Sequence, residues 1–147
     1  MTLANILRQQ LNSSEPGGFH VSLGDWSATI AVEKKDSMSC LFTELTVRKS
    51  TPATQDVRTW GERIASRATG LLEPLRLLEA DARLNQALLR STAPMQRDGQ
   101  SLYYEMALTR DSATLHRYAG RIGARREAIP FALTHDAIVK LVADIVG

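Results

Sequence analysis

The sequence contains little cysteine, few aromatic side chains and almost no excess charge. Of its 147 residues one is a cysteine and 5% are aromatic, and the formal net charge at pH 7 is +2. Cys40 cannot form a disulfide within the chain, and we expect it to be a buried thiol in a strand. This cysteine usage favours a reducing, cytoplasmic location. A nucleic-acid module would carry a larger basic field and more stacking aromatics, so we do not expect nucleic acid as a partner.

Long hydrophobic runs are also missing. The most apolar stretch, residues 137–146, is interrupted by Lys140 and Asp144 and is too short to span a bilayer. Residues 1–11 carry Arg8 among apolar positions at helical spacing and do not resemble a signal peptide. With 44% hydrophobic and 23% charged residues, the composition is that of a globular protein. We therefore expect one soluble domain over residues 1–147, without membrane attachment.

No sequence motif for catalysis, metal binding or cofactor binding is present. The three histidines and Cys40 lack the short paired spacings of zinc sites. A Gly-x-Ser-x-Gly nucleophile motif is absent, and residues 120–123 match neither a P-loop nor a dinucleotide fingerprint. We therefore predict no catalytic residue, no metal and no cofactor, and favour a non-enzymatic role. His135 is expected to be a surface residue, and His116 to lie at the border of the core.

An amphipathic helix is predicted at the start of the chain. Thr2 is a suitable N-cap, and the apolar residues that follow fall on one stripe ending at Leu11. Residues 15–18, of sequence Glu-Pro-Gly-Gly, should end this helix.

Three strands are expected next. Apolar residues alternate over residues 19–32, and Gly24-Asp25 in the middle predicts a tight hairpin turn. A third strand is predicted over residues 38–48. Its apolar positions change parity between Phe42 and Leu45, as they would at a β-bulge.

A second helix is predicted after Pro52, with Thr54 as its cap and Gly70 and Pro74 marking its end. Its apolar stripe should face a sheet and consists of Val57, Trp60, Gly61, Ile64, Ala68 and Leu71.

Residues 75–91 are open to two interpretations. They contain no β-branched residue and are rich in helix formers, which favours a helix. Alternating apolar residues from Leu78 to Leu84, with a polar turn over residues 81–85, favour a hairpin instead. We adopt the hairpin.

Residues 101–119 predict another hairpin, turning at residues 110–112. If Thr109 pairs with Ala113, then Tyr104 lies opposite Tyr118 and Glu105 lies opposite Arg117. This register places Tyr104 on the inner face and directs the Glu105 and Arg117 pair outward.

The closing helix is predicted to begin at Thr134, with Ile138, Leu141, Val142 and Ile145 on one side. The complete order is α-βββ-α-ββββ-α. It predicts an α+β domain, a twisted antiparallel sheet with helices packed on one face.

Arginines cluster between residues 117 and 126, and this segment is the best candidate for a functional surface. Guanidinium groups bind phosphates and carboxylates through two parallel hydrogen bonds. A solvated loop that needs charge for solubility is the competing interpretation. The candidate anion- or partner-binding residues are Arg117, Arg121, Arg125, Arg126, His116 and Tyr118.

The order of elements and the chain length resemble those of the chaperones of bacterial type III secretion. These are small α+β proteins in which helices flank a curved sheet. The resemblance covers most of the chain and carries over no functional residue. It implies a homodimer that wraps an unfolded segment of a partner protein.

Two further functions remain open. A small-molecule or anion-binding domain, or a hydrolase, would need a cavity between sheet and helices near His116, Tyr118 and Arg121. Weak nucleic-acid binding through the arginines would show affinity that falls steeply as salt rises.

Overall fold

The fold is a ten-stranded antiparallel sheet with three helices, in a computed structural model that describes residues 1–13, 18–51 and 56–147. The helices are α1 (Leu3–Leu11), α2 (Val57–Arg67) and α3 (His135–Val146). The strands are β1 (Phe19–Leu23), β2 (Trp26–Lys35), β3 (Ser39–Lys49), β4 (Leu75–Asp81), β5 (Gln86–Ser91), β6 (Met95–Arg97), β7 (Gln100–Leu108), β8 (Ser112–Gly120), β9 (Glu127–Ile129) and β10 (Phe131–Thr134). The α+β class and the predicted order of helices and strand runs are confirmed. The second strand run is longer than expected because β6, β9 and β10 are short additions.

The main path of the sheet is β1-β2-β3-β8-β7-β5-β4. At its centre, β3 and β8 pair over only four residues, from Leu45 opposite Leu115 to Arg48 opposite Ser112. Beyond this junction the two strands diverge, and β10 pairs with β3 while β9 pairs with β8. Only Pro130 separates β9 from β10. One late segment, residues 127–134, therefore fills the gap at the middle of the sheet.

All three helices pack on one face of the sheet, as predicted. Burial alternates along the central strands, so that every second side chain faces the helices. The indole Nε1 of Trp60 in α2 donates a hydrogen bond to the carbonyl oxygen of Ile145 in α3 at 2.9 Å. The largest fully buried side chains are Trp60, Tyr104, Phe42, Leu7, Leu11, Ile30, Leu45, Ile64, Leu89, Met106, Leu108 and Leu115. Apolar burial against this single face supplies the main driving force for folding.

The predicted cap of α1 is confirmed. The Thr2 hydroxyl accepts from the backbone N–H of Asn5, whose side chain accepts in return from the backbone N–H of Thr2. The helix ends at Leu11, with Asn12 as its C-cap. Of the segment expected to stop the helix, residues 15–17 lie outside the described residues.

The boundaries of α2 differ from the prediction. Its N-cap is Asp56, whose carboxylate accepts from the backbone N–H of Thr59 at 2.8 Å. Thr54, the predicted cap, lies outside the described residues. The helix ends at Arg67 with Ala68 as its C-cap, so Leu71 lies beyond it. The hydrogen bond from the backbone N–H of Thr59 lowers the pKa of Asp56, as expected for a carboxylate at the positive end of a helix.

The predictions for the first three strands, β1 to β3, are confirmed. Leu23 pairs with Trp26 across the Gly24-Asp25 turn. Ile30 lies opposite Leu45 and Val32 opposite Phe42, so β3 carries an extra residue at the parity change.

Residues 75–91 form the hairpin, and the helical alternative is wrong. Leu75 pairs with Ser91 and Asp81 pairs with Gln86, with a bulge between Leu77 and Glu79. Here the alternation of apolar residues and the turn chemistry outweigh helix propensity.

The predicted register of the β7–β8 hairpin is wrong by one residue. Tyr104 lies opposite Arg117, and Tyr103 lies opposite Tyr118. The turn is one residue shorter than assumed, because the backbone N–H of Thr109 donates to the carbonyl oxygen of Ser112 at 2.9 Å and leaves only residues 110 and 111 between the strands. A shift of one residue reverses the face of every side chain on one strand. Arg117 therefore points inward, while Tyr104 keeps its predicted inner position.

His135 is a second correction, since it is only 5% exposed and is not a surface residue. β10 continues directly into α3, and the backbone N–H of His135 donates to the carbonyl of Met38 at 2.9 Å. This bond holds the first turn of the helix against the sheet. Cys40, on the neighbouring strand, is buried as predicted, and burial raises the pKa of its thiol.

Gly61 sets the distance between α2 and the sheet. A β-carbon at this position would lie 3.1 Å from a methyl group of Leu77 and 3.3 Å from one of Leu108. We expect Gly61→Val to destabilise the protein by about 1–3 kcal/mol, because the added methyl groups overpack this contact. Urea denaturation measures the loss. Glu62→Val, on the exposed side of the same helix, is the control for β-branching alone. Equal stabilities of the two variants would contradict the close approach.

Candidate functional site

The face of the sheet opposite the helices is not covered by any described element. Its centre carries a group of polar and aromatic side chains that we call the outer-face cluster, namely Glu44, Arg90, Tyr103, Glu105, His116, Tyr118 and Arg126. The cluster lies on this face because its members on β7 and β8 alternate with residues of the core. It includes three of the six candidate residues.

Glu105 is the centre of the cluster and is only 8% exposed. Arg90 donates to its Oε2 through Nε at 3.1 Å and Nη2 at 2.9 Å. Arg126 donates through Nη1 to Oε2 at 2.6 Å and through Nη2 to Oε1 at 3.2 Å. Burial alone would raise the pKa of Glu105, but the hydrogen bonds from Arg126 and Arg90 lower it below its ordinary value. The hydrogen bond to Glu105 in turn raises the pKa of Arg126. Glu105 and Arg126 are therefore ionised at neutral pH. With the guanidinium of Arg90, the group carries one positive charge.

The two tyrosines provide flat surfaces for the arginines. The guanidinium of Arg126 lies 3.8 Å from the ring centroid of Tyr118, and that of Arg90 lies 5.3 Å from the centroid of Tyr103. The two rings are 5.9 Å apart. Cation–π contacts of this kind hold both arginines over the sheet surface.

His116 lies at the border of this cluster. Its Nε2 is 3.0 Å from the Glu44 carboxylate, and its ring centroid is 5.8 Å from that of Tyr118. Since Glu105 accepts from two guanidiniums, its lone pairs are not free to take a proton from a substrate. The cluster therefore presents a positively charged, aromatic surface and not an acid–base pair.

The six candidate residues do not form one site. His116, Tyr118 and Arg126 come together on the outer face. Arg121 and Arg125 are exposed in the turn between β8 and β9. Arg117 points to the opposite face, where it is 3% exposed. Because His116 and Tyr118 point away from the helices, they do not line any space between sheet and helices.

Arg117 belongs to a buried ion pair. Its Nη1 and Nη2 donate to the two carboxylate oxygens of Glu73 at 2.9 and 3.1 Å. The Ser91 hydroxyl donates to Glu73 at 3.0 Å and accepts from the backbone N–H of Tyr104 at 2.8 Å. The guanidinium also lies 4.2 Å from the centroid of the Tyr104 ring. This network joins the segment after α2 to β5, β7 and β8.

Sequence reasoning missed Arg90, Tyr103, Glu44 and Glu105 as members of the cluster. It assigned Glu105 to Arg117 through the wrong register. The correct register puts Tyr103 beside Tyr118. The β7–β8 register does not reveal Arg90, which lies on β5. β5 pairs directly with β7, although β6 lies between these two strands in the sequence.

The ends of the sheet form a second candidate surface. Among the described residues, β1 pairs only with β2 and β4 pairs only with β5. Each edge strand therefore presents main-chain groups that no described strand takes up. An open hollow of about 860 Å³ lies at the tip of the β4–β5 hairpin, lined by residues 79–84, 86–88 and 107–109. Three leucines near β4 are exposed, namely Leu72 at 68%, Leu78 at 38% and Leu84 at 59%.

Fold and surface together define an α+β domain whose described sheet is open, with β1 and β4 at the two ends of its main path. Within residues 1–13, 18–51 and 56–147, no group of three or more His, Cys, Asp or Glu side chains is arranged to hold a metal ion. None of the helices in these ranges has the length and apolar character needed to cross a membrane. Comparison with protein-family models, curated proteins and solved structures finds no match.

Glu105→Gln should reveal the ionic character of the outer-face cluster. At pH 7 we expect the free energy of unfolding of the variant to be about 1–2 kcal/mol lower, because its neutral amide gives Arg90 and Arg126 no negative charge to bind. A carboxyl whose pKa is lowered by folding stabilises the protein above its ordinary pKa of about 4.3, and this stabilisation disappears as pH falls through the lowered pKa. The difference between the two proteins should therefore shrink below about pH 4. Urea denaturation between pH 3 and 8 measures it.

The control for this experiment is Glu33→Gln, at an exposed position of β2. It should change stability little at any pH. A loss for Glu105→Gln that is equal at pH 3 and pH 7 would contradict the ionic account.

The buried pair predicts a strong non-additivity. Arg117→Met and Glu73→Gln should each cost about 3–5 kcal/mol, because each leaves one charge or its hydrogen-bonding groups buried without a partner. The double variant should cost clearly less than the sum of the two single losses. Denaturation of the four proteins measures the cycle, with Arg121→Met as an exposed control. Additive losses would mean that the two side chains act independently.

Proposed function

We propose that this chain is a non-enzymatic protein-binding domain, chaperone-like in its architecture, that takes up an extended segment of another protein at a free edge of its sheet. The observation that carries this proposal is that β1 and β4, at the two ends of the described sheet, each pair with a described strand on one side only. We place its action in the bacterial cytoplasm, with another protein or a second copy of the chain as the partner.

Strand addition explains how such an edge would bind. An extended segment can continue the ladder of main-chain hydrogen bonds, which supplies affinity, while its alternate side chains contact the protein and supply specificity. Leu23 at the end of β1 and Leu78 in β4 are exposed beside these edges. Apolar side chains in these positions would be removed from water by the added segment.

The alternative, an anion-binding domain or a hydrolase, has less support. The outer-face cluster carries a positive charge, which favours anions. However, the guanidiniums of Arg90 and Arg126 both bind Glu105, and an anion would have to compete with this carboxylate. The hollow at the β4–β5 tip is lined by Glu79 and Asp81 as well as Arg83, which does not favour an anionic ligand.

The test begins with capture of partners from native extract, with and without nuclease, and continues with amide hydrogen exchange on the purified complex. We expect a protein partner that survives nuclease. Its binding should slow exchange at backbone amides of β1 or β4 and leave those of β7 and β8 unchanged. Leu23→Asp or Leu78→Asp should weaken binding at least about tenfold at the edge that is used.

Ile122→Asp is the matched control, since Ile122 is fully exposed in the β8–β9 turn, away from both edges. It should leave binding unchanged. A partner that binds without protecting either edge would overturn the proposal. Recovery of only a metabolite or nuclease-sensitive material would favour the anion-binding alternative.

A further inference from the structure

The strands at the two ends of the described sheet differ in how well they are protected. β4 carries three exposed charged residues, Arg76, Glu79 and Asp81, and a bulge between Leu77 and Glu79. Charges and bulges on an edge strand keep other strands from pairing with it. β1, of sequence Phe-His-Val-Ser-Leu, has no acidic, lysine or arginine residue, and its five residues pair with β2 without a register shift. Of the two strands, β1 is therefore the better template for a further strand.

The main-chain groups of His20 and Ser22 point away from β2. Leu23 pairs with Trp26 across a two-residue turn. Residues that flank such a turn form a hydrogen-bonded pair, and along antiparallel strands these pairs alternate with pairs whose N–H and C=O groups point outward. His20 and Ser22 fall on the outward-pointing positions. The His20 ring is directed to β2, where its Nδ1 lies 2.8 Å from Oγ1 of Thr29. The N–H and C=O groups of both residues are thus oriented toward the position of an added strand.

α1 provides an apolar flank above this edge. The helix packs on β1, β2 and α3, and Arg8 marks the side that faces α3, because its Nη1 donates to the Asp136 carboxylate at 2.6 Å. Ile6 is half-buried and lies about 200° around the helix from Arg8. Since α3 lies over β3, the flank with Ile6 is at the β1 edge. Inner-facing side chains of an added strand would contact Ile6 there, beside Leu23, which is 39% exposed.

Ammonium groups lie at both ends of β1. That of Lys35 is 5.1 Å from the ring centroid of Phe19, the first residue of the strand. That of Lys49 is 5.6 Å from the ring centroid of Trp26, which pairs with the last residue. α1 and β1 contain no acidic side chain, and the Asp25 carboxylate in the turn accepts from the hydroxyl of the residue after Lys49 at 3.3 Å. Carboxylates at the ends of an added segment are complementary to these ammonium groups.

We infer that β1, and not β4, is the edge that binds the partner protein. Its ligand is an extended segment that alternates apolar with small polar residues and carries a carboxylate near each end. The segment pairs antiparallel to β1, as all neighbouring strands of the described sheet do. Its apolar residues lie opposite Phe19, Val21 and Leu23 and face α1, whereas its polar residues lie opposite His20 and Ser22. The inference rests on the proposed function and adds the edge, the direction and the chemistry of the segment.

A synthetic peptide, acetyl-Asp-Val-Thr-Val-Thr-Val-Asp-amide, tests this inference on the full chain. We expect NMR titration to give a dissociation constant below about 1 mM, and hydrogen exchange to slow at β1 but not at β4. In antiparallel pairing the residues opposite His20 and Ser22 direct their N–H groups to β1. N-methylation of both threonines should therefore weaken binding at least about tenfold, whereas N-methylation of two of the valines should change it less than about twofold. Equal effects, or the reverse order, would overturn the inference.

Ser22→Pro tests the same bond from the side of the protein. It removes an outward N–H without removing a hydrogen bond to β2, so it should weaken peptide binding at least about tenfold, while Ser22→Ala should leave it unchanged. Urea denaturation checks that the proline variant is folded. A folded Ser22→Pro protein that binds as well as the unmodified one contradicts strand addition at β1. The methylated peptides are measured on the unmodified protein and decide the question even if this variant unfolds.

Reversal of one charge tests the complementarity at the end of the strand. Lys49→Glu should weaken binding of the peptide about two- to fivefold and strengthen binding of its analogue with lysine at both ends by a similar factor. Arg121→Glu is the matched control, because it makes the same change of charge at an exposed position in the β8–β9 turn. Lys49→Glu and Arg121→Glu proteins with the same peptide preference would show that the acidic ends are not recognised at β1.

The fate of the proposed function is a separate outcome. If the peptide does not bind β1 but a protein from native extract slows amide exchange in β4, the inference fails and the proposed function stands. If the peptide binds as expected but no protein partner protects either edge, the assigned edge stands and the proposed function fails.

Discussion

The buried ion pair between Arg117 and Glu73 determines how the second half of the sheet is completed. After α2 the chain must return from the helix layer to the sheet, and at this point Glu73 turns inward to meet Arg117 and Ser91. The hydroxyl of Tyr104 accepts from the backbone N–H of Leu72 at 3.4 Å, which fixes the residue before Glu73. β4 begins two residues later, so its position at the end of the sheet depends on this network.

The two faces of the sheet are stabilised by different physical means. The inner face buries aliphatic and aromatic side chains against three helices. The outer face has no helix, and its tyrosines are partly covered by the guanidinium groups of Arg90 and Arg126. Long arginine side chains shield apolar surface while keeping their charge in contact with water. Glu105 fixes both arginines in place, so the face stays covered without becoming strongly charged.

Local patterns predicted the elements well, whereas pairings between distant strands could not be predicted. The cap Thr2, the start of the last helix at Thr134, the hairpins and the bulge near Phe42 depend on residues close in sequence, and the structure agrees with these predictions. The β7–β8 register depended on a turn that is one residue shorter than assumed. That single error sent Arg117 to the wrong face and hid the contacts of Glu105. Arg126 and Tyr118 were chosen for their residue types, but nothing in the local sequence indicated that Arg90 would lie beside them.

The position of β9 and β10 has a consequence for synthesis of the chain. These are the last strands in the sequence, yet they lie at the middle of the sheet, where β10 pairs with β3. During translation both outer parts of the sheet leave the ribosome before residues 127–134 can join them. Until then the backbone of β3 near Phe42 and that of β8 near Tyr118 lack these neighbours. Until β9 and β10 are made, the nascent chain therefore exposes two temporary strand edges at its centre, and such edges are prone to aggregation.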